Sequence, residues 1–137
     1  PEGTATVQLL ADKYWKTEEK KLWYLEKCWR YERPQAGRYR EFWQFGIEWI
    51  NPSKDVKEDL MSMAVEMIEC AEVKYEVFPS VKRGLSYYTD NGFEVTVPSL
   101  GAQKQVVGAG PYKQGIGFAI GLDRLVLAME LGRTQTL

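Results

Sequence analysis

The residues most suited to chemistry lie in one stretch, Cys28 to Glu48, reading CWRYERPQAGRYREFWQFGIE. Between Lys27 and Arg40, the cations Lys27, Arg30, Arg33, Arg38 and Arg40 stand against a single acid, Glu32. Arginines around a tight loop suit phosphate oxygens, because the guanidinium fork binds them in pairs and never titrates. The same composition also fits a solvated basic hairpin tip. Just beyond it, Gln44, Gly46 and Glu48 alternate with Trp43, Phe45, Ile47 and Trp49. In a strand, those two sets occupy opposite faces. The aromatic set reads as core. The other face carries an amide, a position without a side chain and a carboxylate, which leaves room for a small ligand with a cationic group beside Glu48. A plain solvent face is the alternative. The chain has no His, which excludes a Ser–His–Asp triad and His-containing metal sites; its two Cys cannot make a zinc site alone.

These residues need elements to hold them. A weak helical pattern runs from Thr4 to about Tyr14, with Val7, Leu10 and Ala11 on one face. Leu22 to Tyr31 and Glu41 to Ile50 read as two strands around Pro34-Gln35-Ala36-Gly37, an antiparallel pair. Asn51-Pro52-Ser53 punctuates, and Ser53 or Asp55 is expected to cap a helix to about Ala71, with Leu60, Ala64, Met67 and Ala71 at helical spacing. Shorter strands are predicted over Lys74–Phe78, Leu85–Thr89, Phe93–Val97 and Gln105–Gly108. A glycine-rich strand around Gly115–Gly121 leads into a helix from Leu122 to about Leu131, burying Leu122, Leu125, Val126 and Met129. The sum is an α+β domain, a mainly antiparallel sheet flanked by helices.

The composition is that of an ordinary globular protein: 137 residues, 45% apolar and 27% charged, suffice for one compact domain. No apolar run reaches the ~20 residues of a membrane span, and no secretory signal is visible, so a cytoplasmic protein is expected. A net charge of −1 argues against coating nucleic acid by bulk charge, so any anion site must be local. Cys28 and Cys70 are read as two buried, reduced thiols.

Four blocks now form a pattern. WRYERPQAGRYREFWQFGIE resembles motif 2 of the histidyl-tRNA synthetases, the strand pair that holds ATP. The opening PEGTA resembles a peptide just upstream of it, RGLSYYTDNGFE from Arg83 to Glu94 resembles the family's histidine-specific RGLDYYTGTVFE-like peptide, and GIGFAIGLDRLVLAME from Gly115 resembles motif 3. The resemblance implies a class II aminoacyl-tRNA synthetase catalytic core that makes histidyl-adenylate and passes it to the acceptor end of tRNA(His). It further implies that Arg30 and Arg83 act at the α-phosphate of ATP. Glu32 and Arg38 would contact adenine or the outer phosphates, and Arg124 would clamp the γ-phosphate end. Glu2, Thr4, Gln44 and Glu48 would take the amino group and side chain of histidine, with Arg83 across the α-phosphate. Tyr87 and Tyr88, otherwise plain strand aromatics, would line the imidazole pocket. Magnesium is expected on the leaving pyrophosphate, without a dedicated carboxylate cage in the sequence.

Three departures stand out. Ser86 replaces the family's Asp, Ala109 and Pro111 alter a glycine-rich GGRYD-like stretch, and the chain is short. Motif 1, which forms the family's homodimer interface, the inserted domain and the anticodon-binding domain have no counterpart. One domain over 1–137, a minimised core or fragment, is therefore expected. The competing readings are a non-catalytic paralogue that binds histidine, like the synthetase-like regulatory subunit of ATP phosphoribosyltransferase, and an inert core.

Overall fold

The computed structural model describes residues 2–29, 41–82, 85 and 88–136. Its elements run α1 (Glu2–Tyr14), β1 (Lys20–Trp29), β2 (Glu41–Ile50), α2 (Lys57–Cys70), β3 (Glu76–Val81), β4 (Gly92–Thr96), a 3-10 turn (Pro98–Gln103), β5 (Gln105–Tyr112), β6 (Gly115–Gly121) and α3 (Leu122–Thr136). The strands form a six-stranded sheet in the order β1-β2-β6-β5-β4-β3, and every pairing is antiparallel. After β2 the chain crosses along α2 to the far edge and then meanders back, so that β6 closes against β2. The α+β architecture expected from the sequence is the one observed.

One face of the sheet is the core. Phe45, Ile47 and Trp49 of β2 line up with Ile120, Phe118 and Ile116 of β6, and Val107 and Ala109 continue the rows on β5. Phe93 and Val95 of β4 complete the layer, with the Phe93 and Phe118 rings 6.5 Å apart. α2 covers this face with Leu60, Ala64 and Ile68, a spacing of four that keeps them on one side of the helix. Ile68 takes the place expected for Ala71, which lies at the helix C-cap.

Several boundaries and faces differ from the sequence reading. α2 begins at Lys57 with Val56 as N-cap; Asp55 instead accepts from the Lys57 N–H at 3.0 Å. Val56 is buried, so packing rather than a polar cap sets the helix start. The strand expected over Leu85–Thr89 is absent among its described residues; Tyr88 makes an isolated bridge to Tyr112, and the Thr89 N–H donates to the Pro111 carbonyl. A proline offers only its carbonyl, and that is the group used. In α3 the buried residue is Ala128, while Val126 and Met129 face solvent, because a small side chain lets the helix lie close to the sheet. Trp43 is 43% exposed rather than core, standing at the end of β2 beside Lys27. Cys28 is buried but Cys70 is exposed, and both are free thiols. No helix among the described residues is long and apolar enough to cross a membrane.

Leu60 and Val126 separate this packing from the one expected. Leu60→Ala should lower the unfolding free energy by about 2–5 kcal/mol in urea titration, the range for emptying a leucine site in a core. Val126→Ala should change it by no more than about 0.5 kcal/mol, as for a surface site.

Candidate active site

The second face of the sheet is nearly bare of side chains at its centre. Gly121, Ala119 and Gly117 of β6 pair with Gln44, Gly46 and Glu48 of β2, and Gly108 and Gly110 of β5 pair with Ala119 and Gly117. The strands therefore present backbone as a floor, on which a flat ligand can lie close. β1 supplies the margin: Leu22, Tyr24 and Glu26 are the register partners of Glu48, Gly46 and Gln44.

Glu48 sits in this floor with no exposed surface. The Thr4 hydroxyl of α1 donates to its Oε1 at 2.5 Å, and the Tyr112 hydroxyl of β5 donates to its Oε2 at 2.6 Å. Tyr112 is two strands away from Glu48, with β6 between them. The carboxylate can cross because Gly117 has no Cβ; one built there would run into the Glu48 carboxyl group and the Ile47 carbonyl. Burial pushes the Glu48 carboxyl up to about 7, against the pull of the Thr4 and Tyr112 hydrogen bonds. The Tyr112 and Tyr24 hydroxyls are held well above the ordinary phenol range, first by burial and then by the Glu48 charge.

α1 closes this end of the face. Val7 and Ala11 pack with Ile50 and Tyr112, flanked by Trp15 and Leu22, and Gln114 in the β5–β6 turn donates to Asp12 at 2.8 Å. The open space expected over Gly46 is taken by the ring of Tyr24, which leans across from β1 onto the position where a Cβ would stand. The same ring backs against Gly3 of α1.

Arg124 reaches this face from α3. Its Cδ lies over Gly121, the partner of Gln44, while its guanidinium donates to the Gln105 carbonyl at 2.9 Å and to Gln103 Oε1 at 3.3 Å. Both of these acceptors are neutral oxygens, and they help to fix the fork. Tyr88 joins from the opposite margin through its bridge to Tyr112.

Of the sequence-predicted residues, the structure thus gathers Thr4, Gln44, Glu48, Tyr88 and Arg124 around one floor. Glu2 opens α1, and its side chain lies outside the described residues, as do Arg30, Glu32, Arg38, Arg83 and Tyr87. Two participants escape sequence reasoning, Tyr24 and Tyr112. Period two along β1 is the signal that would find Tyr24. Tyr112 stands in a segment where Ala109 and Pro111 draw the eye as substitutions. Among the described residues, no cluster of three or more His, Cys, Asp or Glu side chains could hold a metal ion.

Comparison with known proteins accords with this geometry. Residues 1–127 match the family model described as tRNA synthetase class II core domain (G, H, P, S and T). The histidine–tRNA ligase of Halothermothrix orenii is 26% identical over 236 residues, covering 95% of this chain and 56% of the relative. That of Methanococcus maripaludis strain C7 is 40% identical over 80 residues, covering 56% of this chain and 19% of the relative. The chain spans about half the length of the first of these, and the alignment of 236 positions against 137 residues means that the relative holds internal segments missing here. Among solved structures, the PylSc pyrrolysyl-tRNA synthetase of Desulfitobacterium hafniense superposes with a TM-score of 0.63 at 18% identity, over 93% of this chain and 48% of that one; this likeness speaks for the fold. The glycine floor, the antiparallel sheet and the matched residues agree, and the chain belongs to the class II tRNA synthetase core-domain family.

Proposed function

We propose that the chain, as one domain over 1–137, binds histidine and ATP on the glycine-floored face and joins them as histidyl-adenylate, the first half of histidine–tRNA ligation. The observation that carries this reading is Glu48: a carboxyl group buried at the centre of the face and fixed by two hydroxyl donors, in a chain whose curated relatives include histidine–tRNA ligases. Such a group is costly to bury and selects for a ligand that brings an N–H donor or a positive charge. Thr4, Gln44, Glu2, Tyr87 and Tyr88 complete the amino-acid side in this reading, together with Arg83.

The reaction asks little of the protein in acid–base terms. The attacking carboxylate of histidine is already ionised, so no general base is needed. Displacement at the α-phosphate depends on in-line positioning and on neutralising charge that spreads over the phosphoryl oxygens. Arg30 and Arg83 would neutralise the α-phosphate, Arg38 and Arg124 the outer phosphates, and Glu32 would turn toward adenine or the phosphate tail. Arg124 supports this, since its fork is already anchored at the margin of the floor. The donor set fits a magnesium ion that arrives on the ATP phosphates, which supply most of its ligands. Transfer to tRNA(His), pairing of two such chains and a cytosolic setting belong to the same proposal.

The test is ATP–pyrophosphate exchange with histidine and with other amino acids. Histidine-dependent exchange is expected, with Arg30→Ala lowering kcat by roughly a hundredfold and KM much less, as for a group that acts in the transition state. No exchange above that variant would leave the inert-core reading standing.

Glu48 also makes stability depend on pH. Its folded pKa of about 7 lies above the ordinary value of 4.5, so its neutral form favours the folded state. That contribution is complete below pH 4.5 and is lost as pH rises through 7, by about 3 kcal/mol in all. Glu48→Gln removes the titration. Urea unfolding at pH 5 and pH 8 should show the native protein losing stability relative to this variant; a difference independent of pH would contradict the buried carboxyl.

A further inference from the structure

The 3-10 turn Pro98–Gln103 ends beside Arg124, and its shape is set by its own residues. Pro98 opens it with φ already near the helical value. The Leu100 N–H donates to the Val97 carbonyl at 3.0 Å, and the Leu100 side chain packs against the core. Gly101 then turns the chain at φ +70, where a side chain would strain the backbone even though a Cβ there would meet nothing within 4 Å. The Val97 N–H closes the turn on the Lys104 carbonyl at 2.7 Å. Gln103 is thereby held at a fixed place, two residues before β5 begins at Gln105.

Arg124 meets both glutamines. The helix that carries it is fastened separately, since Asp123 in the first turn of α3 accepts the Trp43 N–H of β2 at 2.6 Å. With the backbone held, the place of the guanidinium depends on the rotamers of a long side chain, whose freedom is lost when it grips a ligand. The Gln105 carbonyl takes Nη1 at 2.9 Å, and Gln103 Oε1 takes Nη2 at 3.3 Å. One contact fixes a point on the fork; the second fixes its plane. We propose that Gln103 is a positioning residue for the outer phosphates of ATP: carried on the Pro98–Gln103 turn, it orients the Arg124 guanidinium before the nucleotide arrives. This rests on the reading of Arg124 as the clamp on the γ-phosphate end, and it makes the turn part of the nucleotide site.

Calorimetry on the full chain with magnesium tests this with two probes, ATP and AMP, which lacks the outer phosphates. Gln103→Met keeps the length of the side chain and removes the acceptor. It should weaken ATP about fivefold, the scale of one hydrogen bond to a charged group whose companion bond remains, and leave AMP within about twofold of the native protein. Arg124→Ala should weaken ATP more and AMP equally little. Adding Gln103→Met to Arg124→Ala should cost ATP no more than about a further twofold, because the glutamine acts through the arginine. Equal losses for ATP and AMP in Gln103→Met would mean that Gln103 only shapes the turn. Unchanged ATP affinity would mean that Arg124 keeps its place without it, and an undiminished loss in the Arg124→Ala background would mean that Gln103 meets the nucleotide itself. Each of these results overturns the proposal. Gln103→Ala, measured the same way, decides the matter should the methionine variant not fold. Native protein that binds neither nucleotide, or an Arg124→Ala variant that keeps its ATP affinity, fails the reading of the site itself. Loss of ATP in Arg124→Ala with none in Gln103→Met fails this inference alone.

Discussion

The fold converges on a single buried carboxyl group. Glu48 belongs to β2, yet its two donors come from α1 and from β5, so one side chain ties together three parts of the chain that are distant in sequence. Burying an ionisable group without such donors would cost several kcal/mol. Much of the local sequence follows from meeting that demand. Gly117 clears the path to Tyr112, Thr4 is carried in on a helix whose own apolar contacts are few, and the neighbouring phenols stay protonated, first because they are buried and then because of the charge of the carboxyl beside them.

The two faces of the sheet divide the labour. Large apolar side chains on one face supply the burial that makes a domain of this size stable, and α2 and α3 complete it. The other face gives up side chains at its centre, with glycine or alanine at the central positions of β5 and β6. Glycine in a strand weakens it, because the chain loses more freedom on folding and packs nothing in return. The core face has to compensate for that loss. Period two is what makes this possible, since adjacent residues serve opposite needs along a single strand.

This also explains what was legible in the sequence. The alternation in β2 identified that strand and the side on which Gln44, Gly46 and Glu48 lie, because burial leaves a direct mark on residue type, and the Pro and Gly between it and β1 marked the antiparallel partnership of those two strands. Leu60 and Ala64 were legible for the same reason. What stayed hidden depends on a neighbour's rotation or lean. Nothing in the period of β2 says that Tyr24 tips over Gly46, and the apolar spacing of α3 does not fix whether Val126 or Ala128 meets the sheet. Spacing reports which residues share a face. It does not report what crosses it. The arginines between β1 and β2 and Arg83 fall outside the described residues.

The return of the chain from the far edge to β2 has a consequence for synthesis on the ribosome. Gln44 and Gly121 are paired, with over half the chain between them. Until β6 has emerged, the inner edge of β2 has no hydrogen-bonding partner, and the floor, the Glu48–Tyr112 contact and the Arg124 anchor do not exist. Loop closure over so long a separation is slow compared with local hairpins. A nascent chain therefore holds the β1–β2 hairpin, with Trp23 and Trp29 exposed, as an incomplete ribbon in the interval between the emergence of β2 and that of β6. The lysines spaced along β1, Lys20, Lys21 and Lys27, give that ribbon a charged edge that discourages pairing with another nascent chain during the wait.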